Sequence, residues 1–458
     1  MVICEYILIL LKQSMTYSIK FLIILFFLNA SLAFGKGINL IRDAEIENFL
    51  AEIAAPIIEE ANLKNSKITF YLDKQNYINA LVTKGPTIFI TSELLIKTKT
   101  IDEIAGVIGH EIGHITGGHL SKRMNAGKDS LATSIISSIL AAGAFISGAP
   151  EAGSAILLGG QQIGTQQMLQ FSRNQESFAD QAAIKFLKPT GYSIKGIYDL
   201  FRLLEQKERL AKFNPYSLTH PLSSERKKII LYHLENNKEI NNKKKKELRE
   251  LEKKFALVQA KLIGFISTSE TSQTYYPVEK NTVESWYANS IQFFKAGKIN
   301  MALKFISKCI EYDPLNPYFH ELKAQIYYEN GQSELSIKSI ERALSINKNE
   351  KHFFLALAKA LYLSNKKENY SRSIALLRKF IKLEDFPVEA YHFLGLSYGK
   401  LEEYSLSSIA LAEKFLLLND IKNAKLQLKK AKRFNKKDKA ISSKINDLKF
   451  ILEQKEKK

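Results

Sequence analysis

The last third of the chain repeats with a period of 34 residues, and this period limits the fold of that part more than any other feature. In a 34-residue frame that starts at Val283, Trp286, Phe293, Ala302, Ile306 and Pro314 fall at positions 4, 11, 20, 24 and 32. In the next frame, Ala324, Tyr327 and Ala343 fall at positions 8, 11 and 27. Small residues at such spacing lie where paired helices touch. Residues 283–458 are therefore predicted to form an all-α solenoid, closed by a helix over 421–435 and a Lys-rich tail that frays.

The preceding part of the chain mixes helix and strand patterns. Residues 43–63 carry apolar side chains at helical spacing, whereas 67–72 and 87–90 have the alternating or β-branched pattern of strands. A further helical stretch begins at Asp102. We therefore predict an α+β domain over 34–266, mainly helical with a small sheet. Residues 267–282, rich in Ser, Thr and Gln, are predicted to be a linker to the solenoid. The repeats resemble the tetratricopeptide pattern.

The first 33 residues have the pattern of a secretory signal peptide. A start at Met1 or Met15 is followed by an apolar run over 21–28 and by small residues that end at Ala33. This run is too short for a comfortable membrane span and is typical of a cleaved signal. Cleavage is expected after Ala33, with Gly35 as the rival position. Residues 131–171 are a second nearly uncharged region. They are expected to form buried or interfacial helices, with a true membrane span as the alternative.

The chain is strongly basic, with 66 Lys and Arg against 47 Asp and Glu and a formal charge of +19. Its densest basic run has no interleaved aromatic residues, and no nucleic-acid-binding motif is present. Nucleic acid is therefore not an expected partner, whereas peripheral contact with an anionic membrane surface is. Two cysteines, Cys4 and Cys309, exclude a Cys-based zinc site. Any metal must be held by His and carboxylate side chains.

The strongest local motif is His110-Glu111-Ile112-Gly113-His114. Residues four apart on a helix share a face, with Cβ atoms about 5–6 Å apart, so both imidazoles can reach one Zn²⁺. Glu111 then lies beside the metal as a candidate general base. A third His six residues after His114 would complete one known arrangement, but that position is Leu120. His119 is one residue out of register and is expected to face outward or to stand behind the ligands.

The candidate third ligand is Glu176, in a helix that follows the uncharged region. Asp180 lies four residues later on the same face and could accept a hydrogen bond from a ligand imidazole. Ala179 would allow close approach of the two helices. Arg173 is on this face as well, and it is expected either to pair with a carboxylate here or to be a surface charge. His220 precedes a proline in extended or turn backbone, where its ring could point into the cleft.

These separated motifs, together with Ile78-Asn79-Ala80 and the strand over 87–90, resemble the M48 family of zinc metallopeptidases over about residues 40–235. The whole layout is similar to the periplasmic members that carry C-terminal tetratricopeptide repeats. The resemblance implies a gluzincin-type domain in which His110, His114 and Glu176 bind one Zn²⁺, Glu111 is the general base and Asp180 supports a ligand. It also implies that His220 lies near the metal, as a gate or as a donor to the transition state.

The expected function is therefore that of an exported zinc endopeptidase for unfolded or misassembled envelope proteins. The resemblance implies partially assembled outer-membrane proteins as clients and, as a possible partner, the β-barrel assembly machinery. Substrate backbone is expected to add alongside the strand over 87–90, while the repeats bind clients or partners. The alternative is a chaperone or assembly adaptor in which the zinc site is structural or gated.

Overall fold

The computed structural model describes residues 40–83, 86–119, 173–210, 220, 224–236 and 242–456. The described residues from 41 onward belong to one compact unit. The signal peptide predicted over 1–33, the region 131–171 and the neighbours of His220 at Thr219 and Pro221 lie outside the described residues. In the ranges given above, no helix is both long enough and apolar enough to cross a membrane.

The N-terminal part combines one small sheet with seven helices among the described residues. Its elements are β1 (Leu40–Ile41), α1 (Ala44–Glu60), β2 (Thr69–Asp73), β3 (Ala80–Thr83), β4 (Thr87–Thr91), α2 (Ser92–Lys97), α3 (Ile101–Thr116), α4 (residues 173–190), α5 (Lys195–Leu210), α6 (Ser224–Glu235) and α7 (Asn242–Ile266). The apolar faces of α1, α3, α4, α5 and α7 pack with the sheet into one core. The predicted α+β class is confirmed.

The order of the strands decides where an extended substrate could add. It is β1-β2-β4-β3, with β4 parallel to β2 and antiparallel to β3. Both sides of β4 are thus paired, and a substrate cannot add to it as the sequence suggested. Strand β3 is one edge of the sheet, and the two-residue strand β1 is the other. Because the main-chain nitrogen of Thr91 donates to Asn79 oxygen at 3.0 Å, alternation along the ladder turns the backbone groups of Ala80 and Val82 away from β4.

Helices α3 and α4 approach each other closely at one glycine. A Cβ atom added to Gly113 would lie 2.8 Å from the main-chain oxygen of Ala179 and 2.9 Å from its Cα. Any side chain at position 113 would therefore push the two helices apart. Since Gly113 lies in the motif and Ala179 lies between Glu176 and Asp180, this contact brings the ligand-bearing faces together.

The C-terminal part consists of consecutive helices from Ser269 to Glu456. Its elements are α8 (Ser269–Tyr275), α9 (Val283–Lys295), α10 (Ile299–Tyr312), α11 (Pro317–Glu329), α12 (Ser333–Ile346), α13 (Lys351–Leu363), α14 (Lys367–Leu383), α15 (Val388–Lys400), α16 (Tyr404–Leu417), α17 (Ile421–Phe434) and α18 (Lys439–Glu456). From α9 to α16 they form four consecutive antiparallel-type pairs with successive small cores, as the repeat predicts.

Two segments differ from the sequence-based expectation. The predicted linker contains α8, in which Gln273 Nε2 donates to Asn289 Oδ1 at 2.6 Å, so the segment is held against α9. The Lys-rich tail does not fray after residue 435. It forms α18, because Ile445, Leu448 and Leu452 recur at helical spacing and are buried against the preceding helices.

Helix α7 belongs to both halves of the chain. Phe255 on α7 stacks on Phe49 of α1 at a centroid distance of 5.6 Å. One turn later, the buried Lys261 lies 2.7 Å from Asp43, 3.3 Å from Glu45 and 3.6 Å from Glu321 of the solenoid. Although burial lowers the pKa of Lys261, these carboxylates, led by Asp43, hold it well above its usual value. The ammonium group therefore stays charged and links α1, α7 and α11.

A second ion cluster joins the start of the first domain to the solenoid. Arg42 binds Glu47 and both carboxylate oxygens of Glu384, the latter at 2.8 Å each. Lys351 also lies 2.8 Å from Glu384. Burial raises the pKa of the Glu384 carboxyl, but the hydrogen bonds from Arg42 and Lys351 outweigh burial and lower the pKa to about 2. Buried pairs of this kind fix relative position more than they add stability.

Candidate metal centre

Helix α3 presents the two motif imidazoles toward one point. His110 and His114 lie one turn apart, and their Nε2 atoms are 3.1 Å from each other. Both side chains are buried, as is Glu111 between them. Two ring nitrogens at this separation, neither facing solvent, are arranged to share a common ligand rather than to bind water separately.

Helix α4 adds the carboxylate that the sequence predicted. Glu176 Oε2 is 3.2 Å from His110 Nε2, and Glu176 Oε1 is 3.4 Å from His114 Nε2. Glu176 is completely buried. Burial raises the pKa of Glu176, but contacts with His110 and His114 outweigh it and hold the pKa well below its usual range. The carboxylate is therefore ionised and acts as a charged donor.

The fourth donor comes from His220. Its Nδ1 lies 3.1 Å from Glu176 Oε2 and 3.3 Å from His110 Nε2. Candidate ligand atoms of His110, His114, Glu176 and His220 all lie within 4.8 Å of one another. Bonds of about 2.0–2.1 Å at a tetrahedral angle place ligand atoms about 3.3 Å apart. The observed separations fit this geometry, and three imidazoles with one carboxylate form a donor set that suits Zn²⁺.

The unsatisfied oxygen atoms support the same conclusion. Within the described residues, Oε1 of Glu111 and Oε1 of Glu176 are buried without a hydrogen-bond partner. A buried carboxylate oxygen without a partner is costly unless a cation or water satisfies it. Both atoms belong to the cluster. The site therefore fits a divalent cation bound by Glu176, with Glu111 next to the cation in a position to act as a general base.

Each motif imidazole is oriented from behind. Asp180 Oδ1 lies 2.9 Å from His110 Nδ1, as the sequence predicted, and accepts a hydrogen bond from it. His119 supports His114 in the same way, with their Nδ1 atoms 2.8 Å apart. Burial lowers the pKa of His110, but hydrogen bonds with Asp180 and Glu176 raise it to about 10; a cation bound at Nε2 would take the place of the proton that these carboxylates favour.

Arg226 on α6 is the site residue to which the sequence gave no role. Its Nε and Nη2 donate to the two oxygens of Asp180 at 2.6 and 2.8 Å, and its Nη1 lies 3.2 Å from Glu176 Oε2. The guanidinium also lies over the ring of Phe201, 4.9 Å from its centroid. Burial raises the pKa of Asp180, but Arg226 outweighs this and lowers it.

Arg173, the residue expected to pair with a carboxylate, is exposed at the start of α4. The contacts to Asp180 and Glu176 come instead from Arg226, which is buried. Arg226 follows His220 by six residues, so one short stretch of sequence supplies both side chains to the site. This spacing was the one signal that could have predicted it.

His220 also contacts the sheet. Its Nε2 donates to the main-chain oxygen of Ala80 at 3.3 Å and lies 3.5 Å from Glu111 Oε1. The imidazole therefore spans from the donor cluster to the edge strand β3. The main-chain nitrogen of Ala80 is covered by Asn79 Oδ1 at 2.9 Å.

The fold and this donor set are those of a metallopeptidase domain in which two His ligands lie one turn apart on a single helix. Residues 41–233, which precede the repeat solenoid, match the model of peptidase family M48. It is 25% identical to the β-barrel assembly-enhancing protease of Yersinia pestis over 70% of this chain and 66% of that protein. It is 23% identical to the protein of that name from Escherichia coli K12, over 68% and 64%.

Metalloprotease LoiP of Escherichia coli K12 is 27% identical over 37% of this chain and 64% of its own length. The chain thus spans just under two thirds of the length of these curated relatives. The crystal structure of the P58(IPK) tetratricopeptide domain matches 71% of this chain and 99% of its own, at 11% identity and a TM-score of 0.19. That score is too low to bear on the fold.

Proposed function

We propose that the chain is an exported zinc-dependent endopeptidase that cleaves unfolded or misassembled envelope proteins. The observation that carries the proposal is the position of Glu111, buried beside a donor set of His110, His114 and Glu176. A purely structural metal site has no need of an additional buried carboxylate with an oxygen that accepts no hydrogen bond. A peptidase needs one within reach of the attacking water.

Zn²⁺ held by His110, His114 and Glu176 would polarise the scissile carbonyl and activate water. Glu111 takes the proton of the attacking water on Oε1 and then transfers it to the departing amide nitrogen. Asp180 and His119 keep the two imidazoles in the tautomer that exposes Nε2 to the cluster. Because these side chains are buried, water is largely excluded and each charge acts at low effective dielectric.

Substrate would bind as an extended segment along β3. The backbone groups of Val82 face away from β4, and an added strand can pair with them without reading side chains. Those of Ala80 contact Asn79 Oδ1 and His220 Nε2 and would become available once these side chains move. Only a segment that is unfolded or detached from its own sheet can offer its backbone in this way. The preference would thus be for conformation more than for sequence.

The envelope location and the clients rest on the names of the relatives and on the predicted signal peptide. Proteins called β-barrel assembly-enhancing proteases match along most of the chain. By analogy, this chain would work in the periplasm, beside a membrane, on partially assembled outer-membrane proteins or with the β-barrel assembly machinery. A cavity of about 200 Å³ between α11, α13 and Arg42, lined by Tyr328, Leu355 and Lys359, is a candidate site for a client segment.

The decisive test is Glu111→Gln in the exported chain, compared with Glu60→Gln at an exposed position of α1. Both variants should retain one zinc per chain by metal analysis. Cleavage of denatured casein should fall by about three orders of magnitude in the first, as expected when general-base catalysis is lost, and should be unchanged in the second. Full cleavage by Glu111→Gln, or cleavage by the wild type that survives a chelator, would refute the peptidase function.

A second candidate is an assembly adaptor with a structural or gated zinc site. It is favoured by His220, which completes a set of four donors, the number that structural zinc sites have. In that case the wild type would contain zinc, bind unfolded clients through the repeats and cleave nothing. His220→Ala would then weaken zinc retention without producing proteolysis.

A further inference from the structure

The positive charge of the chain is concentrated at its C-terminal end. Residues 421–458 contain 14 Lys and Arg against four Asp and Glu, a formal charge of +10 out of +19 for the whole chain. The four preceding helix pairs, residues 283–420, have 18 basic and 16 acidic residues and are nearly neutral at +2. A basic composition spread along the whole chain does not explain this difference between adjoining parts of one solenoid.

Helix α17 carries the most one-sided face of this segment. It has six basic residues and no acidic residue over Ile421–Phe434. Its buried side is formed by Ala424, Leu428 and Ala431, and the opposite side, at a spacing of three or four, carries one exposed stripe. We call this stripe the basic face of α17; it consists of Lys422, Lys425, Leu426, Lys429, Lys430 and Arg433.

Few carboxylates balance this face. Among the described residues from 421 onward, ion pairs join Lys425 to Glu456 and Lys444 to Glu413. Lys422, Lys429, Lys430 and Arg433 are exposed, and none of them forms an ion pair within the part of the chain that the structure describes. Exposed lysines of α7, in contrast, are paired with carboxylates: Lys253 lies 2.9 Å from Glu250, and Lys254 lies 2.7 Å from Glu52.

Apolar side chains stand among these cations. Leu426, in the middle of the basic face, is 48% exposed, and Phe434 at the end of the helix is 44% exposed. Phe434 packs against the half-exposed ring of Tyr404, with centroids 5.4 Å apart, and lies beside the guanidinium of Arg433. On α18, Phe450 points away from the buried Leu448 and Leu452 and is 62% exposed.

We propose that the basic face of α17 docks the protein onto the surface of an anionic lipid bilayer. The cations attract acidic headgroups, while Leu426 and Phe434 enter the boundary between headgroups and acyl chains, as in helices that lie in a membrane interface. A soluble polyanion would satisfy the lysines but not these apolar side chains. The choice of a membrane rests on the proposed export to a compartment bounded by membranes.

The test is flotation of the full exported chain with vesicles of phosphatidylcholine, or of an equimolar mixture of phosphatidylcholine and phosphatidylglycerol. Binding is expected to the anionic vesicles alone and to weaken as salt screens the charges. The variant K422Q/K429Q/K430Q should lower the partition coefficient about 100-fold, since each basic residue near the surface contributes roughly fivefold. L426Q should also weaken binding, at unchanged charge.

The matched control is K304Q/K338Q/K367Q, which removes three exposed lysines from the nearly neutral part of the solenoid. It should bind vesicles within about threefold of the wild type, because its positions lie outside the basic face. Circular dichroism should confirm equal helix content in all variants. Equal losses in the two triple variants, equal binding to neutral vesicles, or binding to polyphosphate without binding to vesicles would each overturn the proposal.

Casein cleavage separates this inference from the proposed function. Glu111→Gln should float with anionic vesicles as the wild type does, and K422Q/K429Q/K430Q should cleave denatured casein normally in solution. A wild-type chain that floats but cleaves nothing would refute the peptidase function and support the docking surface. A chain that cleaves casein but never floats would refute the docking surface and support the peptidase function.

Discussion

His220 joins the donor cluster to the edge of the sheet: its Nε2 lies 3.3 Å from the main-chain oxygen of Ala80, and its Nδ1 lies 3.1 Å from Glu176 Oε2. With the proton on Nε2, the lone pair of Nδ1 faces the cluster. One imidazole therefore takes both the fourth donor position and a backbone acceptor that an extended substrate would use. Movement of this ring would open both at once.

His220→Ala should accordingly raise basal cleavage of denatured casein severalfold, because the fourth position and the Ala80 oxygen both become accessible. The measurement is the initial rate at equal zinc content. His233→Ala, on the following helix α6, is the control and should leave the rate unchanged. A lower rate in His220→Ala would instead assign His220 as a donor to the transition state.

Arg226→Met should weaken zinc binding about 10–100-fold, the usual cost of losing a group that orients a ligand. Without the guanidinium, buried Asp180 loses its two bonds at 2.6 and 2.8 Å, its pKa rises, and it no longer holds His110 in one tautomer. Competition with a chromogenic chelator measures the affinity.

Arg202→Met at an exposed position of α5 is the control for Arg226 and should bind zinc as the wild type does. A zinc affinity in Arg226→Met equal to that of the wild type would mean that Asp180 orients His110 without help.

Gly113→Ala should destabilise the fold by about 1–3 kcal/mol and reduce zinc content, because the added methyl group would lie 2.8 Å from Ala179 oxygen. Gly399→Ala is the matched change in a solenoid helix. There the added atom meets Ser407 Oγ at 3.6 Å, an ordinary contact, and stability should be equal or up to about 1 kcal/mol higher. Chemical denaturation of the two variants gives the comparison, which would fail if both glycine changes had the same effect.

Glu321 should make folding stability depend on pH. Burial raises its pKa from 4.5 to about 7, despite the opposing charge of Lys261. The folded state thus holds this proton more tightly than the unfolded state does. The stability that it contributes is present below pH 4.5 and is lost as pH rises to 7, by on the order of 2–3 kcal/mol.

Thermal unfolding of Glu321→Gln should therefore lose this pH dependence between pH 5 and 8, whereas Glu329→Gln, exposed on the same helix, should keep it. Identical slopes in wild type and Glu321→Gln would show that Glu45, whose pKa burial also raises, carries the titration of this cluster instead.

The local chemistry of the site could be predicted from the sequence because it depends on helical spacing. His110 and His114 lie four residues apart on one helix, with Glu111 between them, and Glu176 and Asp180 lie four residues apart on another. Each of these two pairs therefore projects from one face of its helix. Asp180 does lie behind His110, and Glu176 does reach both imidazoles. The repeat spacing likewise predicted the helix pairs, since small residues mark where they touch.

Other relationships depended on contacts between distant parts of the chain. Strand order placed β3, not β4, at the edge, and no local pattern encodes which neighbour a strand pairs with. Arg226, and not Arg173, contacts Asp180 and Glu176, because the fold buries the first arginine beside them and leaves the second exposed. The burial of Lys261 among carboxylates of both halves arises only when the solenoid packs on α1.

By itself, then, the sequence determined which side chains each helix could offer and on which face, because the periods of helix and strand are properties of the local backbone. Tertiary structure decided which of those faces meet, which oxygen and nitrogen atoms lose their contact with water, and therefore which carboxylates remain ionised around the cluster. Such effects come from packing and desolvation summed over many distant residues, and a linear pattern does not contain them.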